Sequence, residues 1–175
     1  YKNARECRIN RWLCDSVTTQ GTETLESSHK SLFASPEDTD CRVSFGLGYA
    51  KWEKELDNRR VKATAFIPTD TDVRVLLIEW EGGGTLPLSW STDLVLCGDD
   101  SSASCVRIEK HGSFFAASSP ENPFPNSTFR ICYSAEVTGF TSNRSLWLQD
   151  KTDDNCETGG FIGISFEAAG SFVLV

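Results

Sequence analysis

The stretch Glu81-Gly82-Gly83-Gly84-Thr85-Leu86-Pro87 decides how the chain is divided. Three consecutive glycines lose too much backbone freedom to lie inside a helix or strand, and proline lacks the N–H that a central strand needs. The stretch therefore predicts a loop or hinge. Segments of similar length, each with cysteines and β-like runs, lie on both sides. We therefore expect two small domains, residues 1–81 and 88–175, joined by a linker at 82–87.

The composition indicates an ordered protein of an oxidising compartment. The chain has 175 residues, seven cysteines and no methionine, so we expect disulfides and an N-terminus from which a leader has been removed. Both features favour secretion. The net charge of −8 weighs against a nucleic-acid surface, which needs clustered Lys and Arg. No apolar run reaches the roughly 18 residues of a membrane span. We expect a monomer without a cofactor.

One α-helix is predicted over residues 3–15. Asn3 is a suitable N-cap, with Glu6 three residues later. Cys7 and Cys14 lie together on one side, about 10.5 Å apart along the axis. Because a disulfide needs Cα atoms within about 7 Å, these two cysteines do not pair with each other. The opposite side is apolar and consists of Ile9, Trp12 and Leu13.

The remainder of the chain predicts β structure. Residues 16–40 are polar and predict a long loop, with a turn or two of helix around 24–33. Alternation of apolar and polar residues then predicts strands. Before the glycines these are 41–47, 49–56, 60–68 and 73–80, and after them 88–97, 104–110, 113–117, 127–137, 145–150, 161–167 and 171–175. The predicted fold class is mainly β with one N-terminal α-helix: a helix plus antiparallel sheet or barrel, then an all-β sandwich or barrel.

The cysteines suggest disulfides without fixing their connectivity. Cys97 and Cys105 flank a hairpin-like loop and form the first predicted bridge. Cys132 and Cys156 form a plausible second bridge in the same half. Three cysteines precede the glycines, so either one is unpaired or a bridge crosses the linker. We favour pairing of Cys14 with Cys41, which leaves Cys7 unpaired. Two sequons, at Asn126 and Asn143, are candidate glycosylation sites of a secreted chain.

No motif predicts catalysis or a metal site. The two histidines, His29 and His111, lie in no nucleophile or zinc-protease motif, and no two cysteines have zinc-ligand spacing. An acidic cluster lacks the spacing of an EF-hand loop and is better explained as a solvated turn. The cluster consists of Asp150, Asp153, Asp154 and Glu157.

Two further residue sets depend on the three-dimensional arrangement. A pair among Glu79, Glu81 and Glu109 would suit glycoside hydrolysis only at the right separation. Four tryptophans could stack on sugars, although large aromatics at strand-periodic positions are more often core. These are Trp52, Trp80, Trp90 and Trp147. The chain is predicted not to be an enzyme.

The cysteine-bearing helix, the glycine break and the two strand-rich halves resemble dual-domain secreted effectors of plant-pathogenic fungi, several of which are avirulence proteins. The resemblance rests on Cys7, Cys14 and Cys41 with the helix around Trp12, on the Gly82 to Gly84 break, and on the strands that end at Val175. It implies a leader removed by a Kex2-like protease, no enzymatic activity, binding to host proteins, possible entry into host cells, and recognition by host immune receptors.

Two other functions stay open. A secreted carbohydrate-binding β-sandwich would use exposed tryptophans. An acidic protease inhibitor of the β-trefoil kind has similar length and charge, although its fold lacks an N-terminal helix.

Overall fold

The computed structural model describes residues 23–28, 30–33, 39–71, 73–94, 106–118, 120, 128–151 and 161–175. Within these ranges the chain is almost entirely β. The predicted helix over residues 3–15 lies outside them. The elements in chain order are β1 (Thr24–Ser27), β2 (Lys30–Ser31), β3 (Arg42–Gly46), β4 (Tyr49–Leu56), β5 (Arg59–Phe66), β6 (Val75–Trp80), β7 (Thr85–Asp93), β8 (Arg107–Lys110), β9 (Phe114–Ser118), β10 (Phe129–Cys132), β11 (Glu136–Thr141), α1 (Arg144–Trp147), β12 (Phe161–Ala169) and β13 (Ser171–Leu174).

The strands form three antiparallel sheets. Sheet A has the order β11-β12-β7-β1-β2, sheet B the order β13-β6-β5-β4-β3, and sheet C the order β10-β9-β8. Alternation of side chains explains which face each strand buries. In β5, for example, Val61, Ala63 and Ala65 are buried, whereas Lys62 and Thr64 point to the opposite face. The strand pattern predicted for this segment is confirmed.

The glycine stretch carries the chain from sheet B to sheet A. Gly82, Gly83 and Gly84 have φ values of 97°, 66° and 75°, in the left-handed region that glycine adopts without a Cβ clash. The turn is anchored, because Arg59 Nη1 donates to the carbonyl of Thr85 at 2.7 Å. The segment is therefore a defined crossing between two sheets.

A second crossing runs beside the first in the opposite direction. β12 lies in sheet A, and Gly170, with φ of 78°, leads it into β13 of sheet B. β12 pairs with β7, and β13 pairs with β6, so the two crossings form one antiparallel ribbon that bends from sheet to sheet. The last strand of the chain thus completes the sheet that the first half begins.

This pairing contradicts the predicted fold class. The halves 1–81 and 88–175 share sheets instead of forming separate domains, since β13 joins β3–β6 and β1 joins β7. The buried apolar residues of all three sheets belong to one hydrophobic core. Local sequence patterns define strands but not their long-range partners, and two sheets linked by a glycine turn have the same local signature as two domains linked by a glycine hinge.

Aromatic contacts join the sheets inside this core. The ring centroid of Phe166 in sheet A lies 4.7 Å from that of Phe172 in sheet B. Phe115 of sheet C stacks on Phe140 of sheet A, with centroids 4.6 Å apart. Such pairs add about 0.5–1.5 kcal/mol to the stabilisation from burial alone. The core is therefore continuous from the first described strand to the last.

A buried polar contact also links sheets A and B. Oε1 of Glu23, just before β1, accepts hydrogen bonds from Arg74 Nη2, just before β6, and from Trp90 Nε1 in β7. The Glu23 side chain is only 6% exposed. Burial lowers the pKa of Arg74, and the neighbouring Glu23 carboxylate opposes that shift. The pair fixes the starts of β1 and β6 against each other.

Three local predictions also fail. The segment predicted to contain helical turns, 24–33, forms β1 and β2. The strand predicted at 145–150 is replaced by α1, which Asn143 caps by accepting from the N–H groups of Ser145 and Leu146. Pro87 lies within β7, opposite Glu167 of β12. β1 pairs with β7 only at residues 89–91, so the proline stands where β7 has one partner strand, which is the kind of position in which strands tolerate proline.

Candidate binding surface

One end of sheet B concentrates the apolar side chains that the described residues expose. Among the described residues, six large apolar side chains are exposed, and four of them lie at this end. Phe45 is 72% exposed, Leu47 104%, Tyr49 45% and Val73 40%. The first three belong to the β3–β4 hairpin, and Val73 precedes β6 at the same end of the sheet. We call these four residues the apolar tip.

The apolar tip has a defined backbone. Gly48 takes φ of 78° in the two-residue turn between β3 and β4, and its carbonyl accepts from the N–H of Ile67 at 3.2 Å. The Tyr49 ring lies directly over Gly46, because a Cβ added to Gly46 would come within 2.0 Å of Tyr49 Cε1. Any side chain at position 46 would therefore displace the tyrosine. The loop at Ile67 and the hairpin support each other.

An apolar strip continues from the apolar tip onto the outer face of sheet B. Tyr49 pairs with Phe66, and Phe66 pairs with Val75, so the three side chains form one row across β4, β5 and β6. Leu77 and Val173 follow in the next row and are half-buried. Sheet faces that meet water are normally polar. This face therefore differs from an ordinary solvated face.

The other half of the same face is charged and largely self-neutralising. Lys51 Nζ lies 2.9 Å from Glu53 Oε1, and Arg60 Nη2 lies 3.6 Å from the same oxygen. The hydrogen bond from Lys51 is the main cause of a lowered pKa for Glu53, and partial burial opposes it. Lys62 Nζ lies 2.6 Å from Glu79 Oε2. The charges are paired with one another and offer no isolated group for chemistry.

The arrangement suits binding to another macromolecule. Contiguous exposed apolar surface beside polar residues marks interaction sites on soluble proteins. Aromatic and large aliphatic side chains dominate the energetic centres of protein interfaces, with polar residues around them. The apolar tip with its charged neighbours has this composition.

The predicted disulfide residues are placed only in part. Cys41 is half-buried directly before β3, and Cys132 ends β10 with an exposed thiol. Their predicted partners Cys14 and Cys156 lie outside the described residues, as do Cys7, Cys97 and Cys105. The pairings therefore stay predictions. Of the two sequons, Asn126 is also outside the described ranges, whereas Asn143 caps α1 through its Oδ1 atom.

The carboxylate and histidine candidates lie on different elements. Glu79 lies on sheet B and is paired with Lys62, Glu81 follows β6 in the glycine turn, and Glu109 lies in sheet C. His111 stacks on Phe114, and its Nε2 is 3.8 Å from Glu109. His29 lies outside the described residues. Within those residues, no three His, Cys, Asp or Glu side chains are grouped for a metal ion.

Three of the four tryptophans proposed for sugar stacking belong to the core. Trp52, Trp80 and Trp90 are 7%, 9% and 2% exposed. Trp147 differs, because it is half-buried and its ring covers Gly163 on the outer face of sheet A. The core explanation therefore holds for the three strand tryptophans, and Trp147 alone stays available at a surface.

The apolar tip is not among the sites predicted from the sequence. The signal was present in Phe45-Gly46-Leu47-Gly48-Tyr49, where large apolar residues alternate with glycines at the turn between two strands. Hairpin turns are usually polar. An apolar turn residue such as Leu47 therefore needs either a core to enter or a partner to bind, and only the tertiary structure shows that no core lies above it.

Comparisons with known proteins leave the family open. No family model matches the chain, and no curated protein matches it. Among solved structures, the chain is similar to a 4-alpha-glucanotransferase from Thermococcus litoralis, with 9% identity and a TM-score of 0.37. The match covers 95% of this chain and 29% of that enzyme. At this TM-score the likeness carries no argument about fold or function. In the described part of the chain, no helix has the length and apolarity to cross a membrane.

Proposed function

We propose that the chain is a secreted, non-enzymatic effector that acts by binding a partner protein through the apolar tip. The observation that carries the proposal is the concentration of Phe45, Leu47, Tyr49 and Val73 at one end of sheet B. Phe45 and Leu47 in particular are difficult to explain by folding stability, because at 72% and 104% exposure they bury little surface within the chain. They gain free energy only when a partner covers them.

The kind of partner follows from the surface. Leu47 projects completely from a turn with a defined backbone, which suits insertion into an apolar pocket. The paired charges beside it, such as Lys51 with Glu53, supply a polar rim. Such a surface fits a folded protein better than a small molecule, since it is convex. The cysteine content supports an extracellular host protein as that partner, with recognition by a host immune receptor as a second event. The shared core removes the two-domain part of the resemblance to fungal effectors, so the proposal rests on the cysteines and the apolar tip.

The proposal is tested by comparing two kinds of surface variant. Full burial of a leucine side chain contributes about 1.5–3 kcal/mol, so Leu47→Ser should weaken binding by about 10- to 100-fold. The double variant Leu47→Ser with Val73→Ser should weaken it further. Leu148→Ser is the matched control, because Leu148 is also exposed, at 76%, but lies after α1.

The experiment begins with crosslinking of purified protein in host-plant extract, followed by binding measurements with the purified partner. The same variants are infiltrated into leaves of different plant lines, and cell death is scored. We expect the double variant to lose both binding and response and Leu148→Ser to keep both. Equal binding by wild type and double variant would remove the apolar tip from the proposal.

A carbohydrate-binding function is the second candidate, and Trp147 favours it. Its ring flanks the outer face of sheet A, where Glu26, Ser89 and Ser165 are neighbours on adjacent strands. Aromatic rings beside hydroxyl and carboxylate groups suit a sugar, which has apolar faces and hydroxyl edges. A glycan array would show binding that Trp147→Ala abolishes and Leu148→Ser retains. Absence of binding by the wild-type protein to any glycan would reject this candidate.

A further inference from the structure

Within the described residues, the β3 edge of sheet B lacks the features that keep edge strands from pairing with other chains. β3 pairs with β4 in unbroken register from Arg42 opposite Glu53 to Gly46 opposite Tyr49. It contains no lysine and no proline, and four of its five residues are exposed. Edge strands are usually blunted by lysine, proline, a bulge or very short length, because their free N–H and C=O groups are a template for pairing.

Four of the other five sheet edges in the described part of the chain have such protection. β2 has two residues, and β11 has a bulge between Val137 and Gly139. β8 consists largely of charged residues. The outer side of β13 is covered, because Val175 and Cys132 exchange backbone hydrogen bonds of 2.7 and 2.8 Å. The remaining edge strand, β10, has four residues, and its last residue, Cys132, is engaged by these bonds, so β3 is the longest edge strand left open.

We propose that β3 pairs antiparallel with β3 of a second copy of this chain, with Ser44 opposite Ser44. This register aligns all five residues of both strands. Val43 of one copy then lies opposite Phe45 of the other, and Arg42 lies opposite Gly46. Directly opposite residues in an antiparallel pair point to the same face, so each of these pairs can make contact.

The side chains are complementary in this register. Val43 packs against the hydrophobic core, whereas Phe45, on the same face of β3, is 72% exposed. Pairing would cover each Phe45 ring with Val43 of the other copy and so extend the core across the edge. On the outer face, Arg42 would approach the Tyr49 ring that lies over Gly46, which favours a cation–π contact. No like charges are brought opposite each other, because Arg42 is the one charged residue of β3.

The pairing goes beyond the proposed function and does not depend on it. In an antiparallel pair centred on Ser44, the two apolar tips point in opposite directions, so Leu47 and Val73 stay exposed in the dimer. The sequence predicts a monomer, and a single strand pair gives a small interface. We therefore expect a reversible dimer at high protein concentration, with twice the 19.4 kDa mass of the chain.

Charge substitutions at Ser44 test the register. Ser44 is exposed, so Ser44→Lys and Ser44→Glu should fold normally. Each alone places like charges opposite each other, and we expect each to weaken the dimer by up to about fivefold in sedimentation equilibrium. An equimolar mixture of the two variants places Lys opposite Glu and should restore the dimer. The same changes at Thr138, exposed on edge strand β11, are the control and should leave the dimer unchanged.

A disulfide provides a second test that does not depend on affinity alone. Opposite Cα atoms in an antiparallel pair are about 4.5–5.5 Å apart, within the disulfide range. Ser44→Cys, in a background where Cys132 and its predicted partner Cys156 are both replaced by Ser, should therefore form a dimer under mild oxidation, with a disulfide between the two residues at position 44. A monomer at all concentrations, a dimer insensitive to the Ser44 charges, or a link between other cysteines would each overturn the proposal.

Discussion

Replacement of Phe172 by alanine provides the most direct test that both halves of the chain fold as one unit. Phe172 is fully buried in β13, opposite Ile78 of β6, and its ring contacts Phe166 with centroids 4.7 Å apart. It thus joins a strand from the end of the chain to a sheet built from its first half.

The expected cost is large. Phe→Ala substitutions in cores cost about 3–5 kcal/mol, because both the transfer free energy and the packing around the cavity are lost. Natural domains have a free energy of unfolding of about 5–15 kcal/mol, so a substantial part of the stability is removed. For a chain of this length each kcal/mol lowers Tm by about 2–4 °C, which gives a decrease of roughly 6–20 °C.

The assay combines urea unfolding with hydrogen exchange. We expect the urea midpoint to fall and exchange to accelerate in β4 and β5 of the first half as well as in β9 and β10 of the second. Val173→Ala is the control, since Val173 is the next residue of the same strand but points outward and is half-buried. It should cost less than about 1 kcal/mol. If hydrogen exchange became faster only in β9 and β10, the single shared core would be refuted.

Three further predictions concern single contacts. Glu53 has a lowered pKa, so its contribution to stability is present above the ordinary value of 4.5 and disappears as pH falls through the lowered value. Glu53→Gln should therefore lower the urea midpoint at pH 7 but not at pH 2. An equal difference at both pH values would contradict this prediction. Gly163→Ala should displace Trp147, because the added Cβ would lie 2.5 Å from its ring. We expect a loss of about 1–3 kcal/mol in the free energy of unfolding and altered tryptophan fluorescence. Unchanged fluorescence would argue against the contact. Asn143→Ala should lower the free energy of unfolding by about 0.5–2 kcal/mol, because the cap of α1 is lost, whereas Asn143→Asp should lower it less. Both variants are compared in chains made without glycosylation. Equal losses there would exclude capping as the cause.

The apolar tip shows why part of the candidate site was beyond prediction. The residues Phe45, Leu47 and Tyr49 are apolar, and apolar residues in a strand-rich chain are normally assigned to the core. Whether Leu47 enters the core depends on what lies above the β3–β4 turn. That is a property of the arrangement of sheets, to which residues far away in the chain contribute.

The tryptophans illustrate the opposite case. Their positions at strand periodicity favoured the core, and Trp52, Trp80 and Trp90 are indeed buried. Burial of a side chain within a strand follows from alternation, which the sequence displays directly. The prediction for 145–150 failed because the segment is short, and the Asn143 cap that starts α1 was interpreted as a glycosylation signal alone.

The stretch from Glu81 to Pro87 illustrates the features that follow from the local sequence, namely the turn and the strands. Three glycines required a turn, and the structure has one, with positive φ at Gly82, Gly83 and Gly84. The alternation in segments such as β5 likewise required strands with one buried face. Both requirements are local, since they depend on the backbone and on residues two positions apart.

What the turn connects follows from the pairing of strands that are distant in the sequence. A hinge between two domains and a crossing between two sheets of one core have the same local sequence. The difference lies in β13, which pairs with β6 although more than 90 residues separate the two strands. Strand partners are selected by the burial of apolar faces throughout the core, to which Phe172 and Ile78 both contribute. The same arrangement leaves Leu47 and the edge of β3 at the surface, where we place the binding functions of this protein.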